Sequence, residues 1–138
     1  MDERTFIRDV AHTLHCDEAR AEAVACVVLQ ALRNRLTPKE AADVAAQMPH
    51  GLRRMWNDGE SAKRAVERVH RAEFIGQIRQ RAVLPDDAEA TRGAKAVFGA
   101  LQRLLGSSTG TEGEAWDIFS QLPKDLKTLW LESSDHPR

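Results

Sequence analysis

The few groups in this sequence that could hold a metal ion are histidine and cysteine side chains near the N-terminus. His12, His15 and Cys16 are close in the chain, and a helix would turn His12 and Cys16 toward the same side. A structural zinc site needs a second pair of ligands, and the remaining histidines and cysteine show no pair at a matching distance. We therefore predict a solvated cluster, with no metal site and no cofactor.

Cys26 is a second candidate for chemistry, because a thiol beside a base can act as a nucleophile. Its neighbours Ala25 and Val27 favour a small buried hydrophobic residue instead. The paired carboxylates Asp86 and Asp87 stand at a predicted helix start, where capping accounts for them. The chain also lacks a phosphate-binding loop and the glycine-flanked serine of hydrolases. We assign no catalytic residue, and the sequence favours a protein that is not an enzyme.

The composition predicts that helices carry these residues. The 138 residues are 42% hydrophobic and only 5% aromatic, and Ala, Leu, Val, Arg and Glu dominate. A net charge of -1 argues against an overall field that would hold DNA or an anionic membrane. No apolar run reaches the length of a membrane span, and Cys16 and Cys26 are predicted to be free thiols. We expect one cytoplasmic domain, residues 1–138.

One motif occurs twice and organises the chain. Residues 47–56, QMPHGLRRMW, return as residues 121–130, QLPKDLKTLW. In each copy the proline is predicted to occupy the first turn of a short helix whose apolar residues follow three and four positions apart. This phase places Trp56 and Trp130 in the core, although a partly exposed indole edge at the seam between the two copies stays an alternative.

Matching caps extend the motif to a duplication of most of the chain. Thr37 and Thr111 each begin a predicted helix with a glutamate at the capping-box distance, and Phe6 matches Phe74. We predict an all-α, single-domain bundle of about eight helices, built from two tandem repeats. The repeats cover about residues 2–57 and 70–133, around buried helices at Asp17–Leu36 and Asp86–Leu105.

These patterns resemble the bacterial domain-of-unknown-function 2267 family, whose members are duplicated helical proteins. The resemblance is carried by Phe6, the Leu29–Leu36 stretch, the Glu40–Met48 helix and the Pro49–Trp56 motif, and the second copy from 74 to 130 completes it. It covers nearly the whole chain and implies a fold rather than an activity. The 106–110 insertion sets the second repeat apart from the first.

A basic run is the main candidate for a binding surface. Residues 61–82 are predicted to form one long helix, in which cationic side chains outnumber carboxylates. A solvated face with glutamate-to-arginine pairs is the alternative. The candidate surface also includes a smaller basic spot and the two repeated tryptophans, and its residues are Lys63, Arg64, Arg68, Arg71, Arg53, Arg54, Trp56 and Trp130.

Three classes of function remain open from the sequence. The first is a non-enzymatic helical interaction module that docks a protein or small ligand through an exposed helix face or the inter-repeat seam. The second is an enzyme of unrecognised type with its site at that seam. The third is weak nucleic-acid binding by the basic 61–82 helix, which the absence of interleaved aromatic residues argues against. The identity of a small ligand and the formation of homo-oligomers are left open.

Overall fold

The computed structural model describes residues 3–67, 70–105, 120 and 122–133. Within these residues the secondary structure is helical throughout, with no strand, which confirms the all-α class. Seven helices are described: α1 (Glu3–Leu14), α2 (Glu18–Asn34), α3 (Pro38–Ala46), α4 (His50–Asn57), α5 (Arg71–Arg81), α6 (Asp87–Leu105) and α7 (Lys124–Glu132). No helix in this part of the chain is both long and apolar enough to cross a bilayer.

Capping side chains begin three of these helices, at the predicted starts Asp17, Thr37 and Asp86. The Asp17 side chain accepts a hydrogen bond from the backbone N–H of Arg20, and Thr37 with Glu40 forms a reciprocal capping box. The Asp86 carboxylate accepts from the N–H of Glu89 at 2.8 Å. Each cap satisfies backbone donors that have no partner within their own helix. Thr111, the predicted counterpart of Thr37, lies outside the described residues.

Helices α2 and α6 pack against each other at the centre of the bundle. Helix α1 contacts α2 and α6, while α5 contacts α6 and α2, so that the first helix of each half packs on the central helices of both halves. Helix α4 packs on α2, and α7 packs on α6 in the same way. This exchange of contacts is the arrangement expected of two repeats around an approximate two-fold axis. The duplication itself stays a prediction.

Both repeated tryptophans belong to the core, as predicted. Trp56 is fully buried, and its indole N–H donates to the carbonyl of Ala41 at 3.0 Å. Trp130 is also buried and packs against Phe98 with ring centroids 5.4 Å apart. Each motif proline precedes its helix as the N-cap residue, rather than lying inside the first turn. Neither tryptophan offers a face for binding a partner.

The predicted helix over residues 61–82 is wrong in its first half. In the described part of this stretch the helix is Arg71–Arg81, and residues 64–67 have no regular secondary structure. The backbone N–H of Glu67 donates to the carbonyl of Asn34 at 2.9 Å. After a turn at residues 62–63, residues 64–67 run beside the end of α2 and satisfy backbone carbonyls there.

Candidate functional site

Arg64, a central member of the predicted basic surface, points into the protein. Its guanidinium donates to the carbonyls of Leu36 at 2.8 Å and Arg33 at 2.9 Å, and it pairs with the carboxylate of Glu60. The buried Arg33 guanidinium in turn donates to the carbonyls of Trp56 at 2.9 Å and Asp58 at 2.7 Å. These bonds tie the chain after α4 to the end of α2, so Arg64 has a structural role.

The Glu60 carboxylate and the guanidiniums of Arg33 and Arg64 form one group of opposite charges, in which Glu60 and the arginines stabilise each other. Burial by itself would raise the pKa of Glu60, but hydrogen bonds from Arg64 and from the N–H of Ser61 hold it below its usual range. Burial lowers the pKa of Arg33, while the nearby Glu60 carboxylate opposes that shift. The group is therefore an internal ion pair rather than a basic patch open to a partner.

The other arginines of the predicted surface are also engaged within the protein. Arg71 forms a two-pronged pair with Glu132, at 2.8 and 3.1 Å. Arg53 donates to the carbonyls of Ala45 and Met48, both at 2.9 Å, and so caps the end of α3. These contacts remove most of the charge that the sequence appeared to offer to an anionic surface.

What remains of that surface is sparse. The side chains of Lys63 and Arg54 are exposed, but Arg54 lies in α4 and Lys63 lies in the segment after it. Arg68 lies outside the described residues. The described members therefore do not form the continuous basic helix face that the sequence predicts.

The predicted cluster around His12 is exposed at the end of α1. His12 and His15 are exposed and Cys16 is half-buried. Among residues 3–67, 70–105 and 122–133, no group of three or more His, Cys, Asp or Glu side chains is arranged to hold a metal ion. His12 instead faces a cleft between the halves, described below.

Cys26 is only partly buried, which corrects the prediction of a core residue. It lines a surface depression of about 650 Å³ together with His50, so a thiol and an imidazole share one site. Burial raises the pKa of the Cys26 thiol, and the carboxylates of Glu22, Asp58 and Glu3 raise it further. Nucleophilic thiols need surroundings that favour the thiolate, so these surroundings argue against catalysis by Cys26.

A cleft of about 480 Å³ opens between the two halves, and we call it the seam cleft. Helix α1 contributes Asp9, His12, Thr13 and Leu14, α6 contributes Arg92, Lys95, Ala96, Gly99 and Arg103, and the end of α7 contributes Glu132 and Ser133. Its volume lies in the range of small-molecule sites, about 300–1,000 Å³.

One ion pair across the halves spans the seam cleft. Arg103 of α6 binds both carboxylate oxygens of Asp9 in α1, at 2.7 and 2.8 Å. Gly99 forms part of the floor, where an added Cβ would lie 3.0 Å from the carbonyl oxygen of Ser133. Glycine at this position therefore allows the end of α7 to approach α6 closely.

Cationic side chains outnumber carboxylates in the seam cleft. Arg92, Lys95 and Arg103 line it against Asp9 and Glu132, but Arg103 pairs with Asp9 and Arg92 pairs at 2.6 Å with Glu89, which is not a lining residue. Lys95 is the most loosely held cation, because its ammonium lies 3.4 Å from a Glu132 oxygen that already accepts from an arginine at 2.8 Å. An incoming anion could therefore recruit Lys95 without breaking a close pair.

A smaller apolar cavity of about 110 Å³ adjoins the cleft, and we call it the seam pocket. Its apolar lining comes from Leu14, Cys16, Val24, Leu84 and Gly93, and its charged lining from Arg20, Glu89 and Arg92. Leu14 and Arg92 also line the seam cleft, so the two cavities are neighbours.

The sequence predicted a seam but not the residues that form its cavities. Arg92, Lys95 and Arg103 look like the solvated face of an amphipathic helix, because nothing local shows which helix packs beside them. One signal was present in Gly93 and Gly99. Glycine inside a helix costs about 1 kcal/mol relative to alanine, so two of them indicate close approach by another element.

The comparisons with known proteins bear on family rather than on activity. A search of curated proteins finds no match to this chain. One family model, described as an uncharacterized conserved protein, matches residues 3–129. This match begins at the start of α1 and ends within α7, so it covers all but the last of the residues on which the sequence resemblance depends. The chain therefore belongs to the DUF2267 family.

Proposed function

We propose that this protein is a non-enzymatic module that binds a small anionic ligand in the seam cleft. The observation that carries the proposal is the loosely held ammonium of Lys95 in a cleft of about 480 Å³ between the two halves. The guanidiniums of Arg92 and Arg103 flank it and already pair with Glu89 and Asp9. Arginine and lysine are the usual partners of carboxylates and phosphates, and hydrogen bonds to charged groups are stronger than neutral ones.

The geometry supports binding more than catalysis. Among the described residues that line the cleft, His12 is the one imidazole, and none is a cysteine. The lining hydroxyls belong to Thr13 and Ser133, and the Ser133 hydroxyl donates to the carbonyl of Leu129 at 2.7 Å. A nucleophile activated by a neighbouring base is therefore not assembled in the cleft.

The surroundings of the cysteines support placing the protein in the cytoplasm, which is part of the proposal. Cys16 and Cys26 are both free thiols, as a reducing compartment favours. An enzyme with a site at the seam remains the second candidate. A protein partner, a second copy of the chain or weak nucleic-acid binding are further alternatives, of which the last loses support from the internal contacts of Arg64 and Arg71.

The proposal is tested by titrating the isotopically labelled protein with sodium acetate and inorganic phosphate at constant ionic strength. We expect amide shifts in nuclear magnetic resonance spectra around Lys95, Gly99 and Ser133. Lys95→Gln should weaken binding roughly tenfold, since it removes one charge-assisted contact. Lys63→Gln is the matched control, because Lys63 is exposed and lies outside the cleft.

The same spectra separate the alternatives. Saturable shifts confined to the cleft and weakened by Lys95→Gln support the proposal. The proposal is contradicted if Lys63→Gln weakens binding more than Lys95→Gln does, or if the two variants show equal shifts. Labelled duplex and single-stranded DNA, measured by fluorescence anisotropy at low salt, test the nucleic-acid alternative. Binding that discriminates between sequences would favour that alternative over the seam cleft.

A further inference from the structure

We infer that the ligand of the seam is an amphipathic monoanion, an alkyl carboxylate whose head lies in the seam cleft and whose tail enters the seam pocket. This inference rests on the proposed function, because it assigns the head to the same cationic cleft. It adds a second, apolar subsite and thereby a chemical class of ligand.

The seam pocket lies between the two halves, at equivalent positions of the predicted repeats. Cys16 and Leu84 lie sixty-eight residues apart, and Val24 and Gly93 lie sixty-nine apart, which are the offsets between equivalent positions of the two predicted repeats. Both members of each pair line the pocket. The pocket therefore lies where the approximate two-fold axis passes between α2 and α6.

Gly93 allows α6 to pack closely against α2 and leaves space for the pocket. A Cβ added to Gly93 would lie 3.0 Å from Cγ1 of Val24, so a larger residue would press against α2. Leu14 and Leu84 are only partly buried although they pack against the core. A tail that covered these side chains would remove apolar surface from water, which stabilises a complex.

Charge and volume together select the ligand class. The cleft offers the loosely held Lys95 to an anionic head, because Arg92 and Arg103 already pair with Glu89 and Asp9. The pocket offers leucine, valine and a thiol to a tail, with Arg20, Glu89 and Arg92 as its charged lining. Arg92 and Leu14 line both cavities, so a head beside Arg92 has its tail directed past Leu14. The pocket, at about 110 Å³, is smaller than the roughly 150 Å³ cavity that holds benzene, which favours a short alkyl chain over a ring.

The chain length of the ligand provides the first test. Butyrate, hexanoate, octanoate and decanoate share one head group, so the tail accounts for differences between them. Affinity should rise about fourfold per methylene until the pocket is filled and then level off. Lys95→Gln should weaken the whole series roughly tenfold without changing this increment. Cys16→Met, which fills the pocket, should abolish the increment.

The two thiols of the chain provide the second test. Cys16 lines the seam pocket, whereas Cys26 lines a separate depression beside His50 and serves as an internal control. Octanoate at ten times its dissociation constant should slow the reaction of Cys16 with N-ethylmaleimide about tenfold. It should leave Cys26 unaffected, and acetate should protect neither thiol. Peptide mass spectrometry measures both rates in the same sample.

The outcomes separate this inference from the proposed function. If acetate shifts the cleft residues but octanoate binds no more tightly and does not protect Cys16, the amphipathic ligand is wrong and the anion site stands. If neither carboxylate shifts any cleft residue, both proposals fail. If octanoate protects Cys16 equally well in Lys95→Gln, the pocket binds apolar molecules without help from the cleft, and the assignment of a paired head and tail is overturned.

Discussion

His15 and Val83 end two helices in the same left-handed conformation, with φ angles of 56° and 55°. They lie sixty-eight residues apart, at the ends of α1 and α5. The backbone N–H of Cys16 donates to the carbonyl of Ala11, and the N–H of Leu84 donates to the carbonyl of Arg79. Both bonds are of the kind that closes a Schellman motif. The two helix ends therefore share one backbone motif although neither uses the glycine that usually forms it.

Val83→Gly should stabilise the protein. A β-branched residue in the left-handed region is strained, at a cost of about 1–2 kcal/mol, and Val83 is 80% exposed, so little burial is lost. The midpoint of thermal unfolding should rise by about 4 °C. His15→Gly is the comparison and should gain less, because histidine is not β-branched. An unchanged or lower midpoint for Val83→Gly would contradict the strain.

Arg64→Ala should destabilise the protein by roughly 2–3 kcal/mol, because it removes bonds to the Leu36 and Arg33 carbonyls and leaves Glu60 with one fewer partner. Urea unfolding measures the change. Lys63→Ala, at the exposed neighbouring position, should alter stability by less than about 0.5 kcal/mol. If the two substitutions had equal effects on stability, Arg64 would be a solvent-exposed residue, as the sequence predicts, and not a structural one.

Val28→Asp should unfold the protein, since Val28 is completely buried in α2 and the new carboxylate would have no partner. The expected loss exceeds about 4 kcal/mol. Ala23→Asp is the matched control, because Ala23 is exposed on the same helix. Circular dichroism should show a helical signal for the control and not for Val28→Asp. A folded Val28→Asp protein would refute the central place of α2.

The pair between Arg71 and Glu132 should make stability depend on pH under acidic conditions. The hydrogen bond from Arg71 lowers the pKa of Glu132 to about 2. Since the unfolded carboxyl has a pKa of about 4.3, the contribution is complete above that pH and is lost as the pH falls toward 2. Both side chains are about one-third exposed, so solvent screening limits the contribution to about 1 kcal/mol or less.

Urea unfolding at pH 7 and pH 2.5 measures this contribution. The loss of stability between the two should be smaller in Glu132→Gln than in the wild type, and Arg71→Gln should reduce it similarly. If both variants lose as much stability as the wild type, the pair does not contribute.

Patterns within a few residues of one another were predicted correctly. The caps at Asp17, Thr37 and Asp86 begin their helices, and Trp56 and Trp130 are buried. Each of these features depends on residues within one or two helical turns, where spacing alone determines which side chains can meet. The family match over residues 3–129 agrees with the same patterns.

The sequence did not show that arginines of the candidate basic surface have distant partners within the protein. Arg64 binds carbonyls 28 and 31 residues earlier in the chain, and Arg71 binds a carboxylate 61 residues later. A helical spacing cannot show whether an arginine meets water or the unsatisfied end of another helix. The long stem of arginine allows either outcome.

The sequence by itself determined the helical class, the starts of α2, α3 and α6, the buried faces and the membership of a family. These properties follow from local periodicity and capping, which a linear chain displays directly. Only the tertiary structure decided that Asp9 meets Arg103, that Lys95 is loosely held and that a polar cleft adjoins an apolar pocket. Cavities arise where helices distant in sequence fail to fill the space between them, and that depends on how whole helices pack.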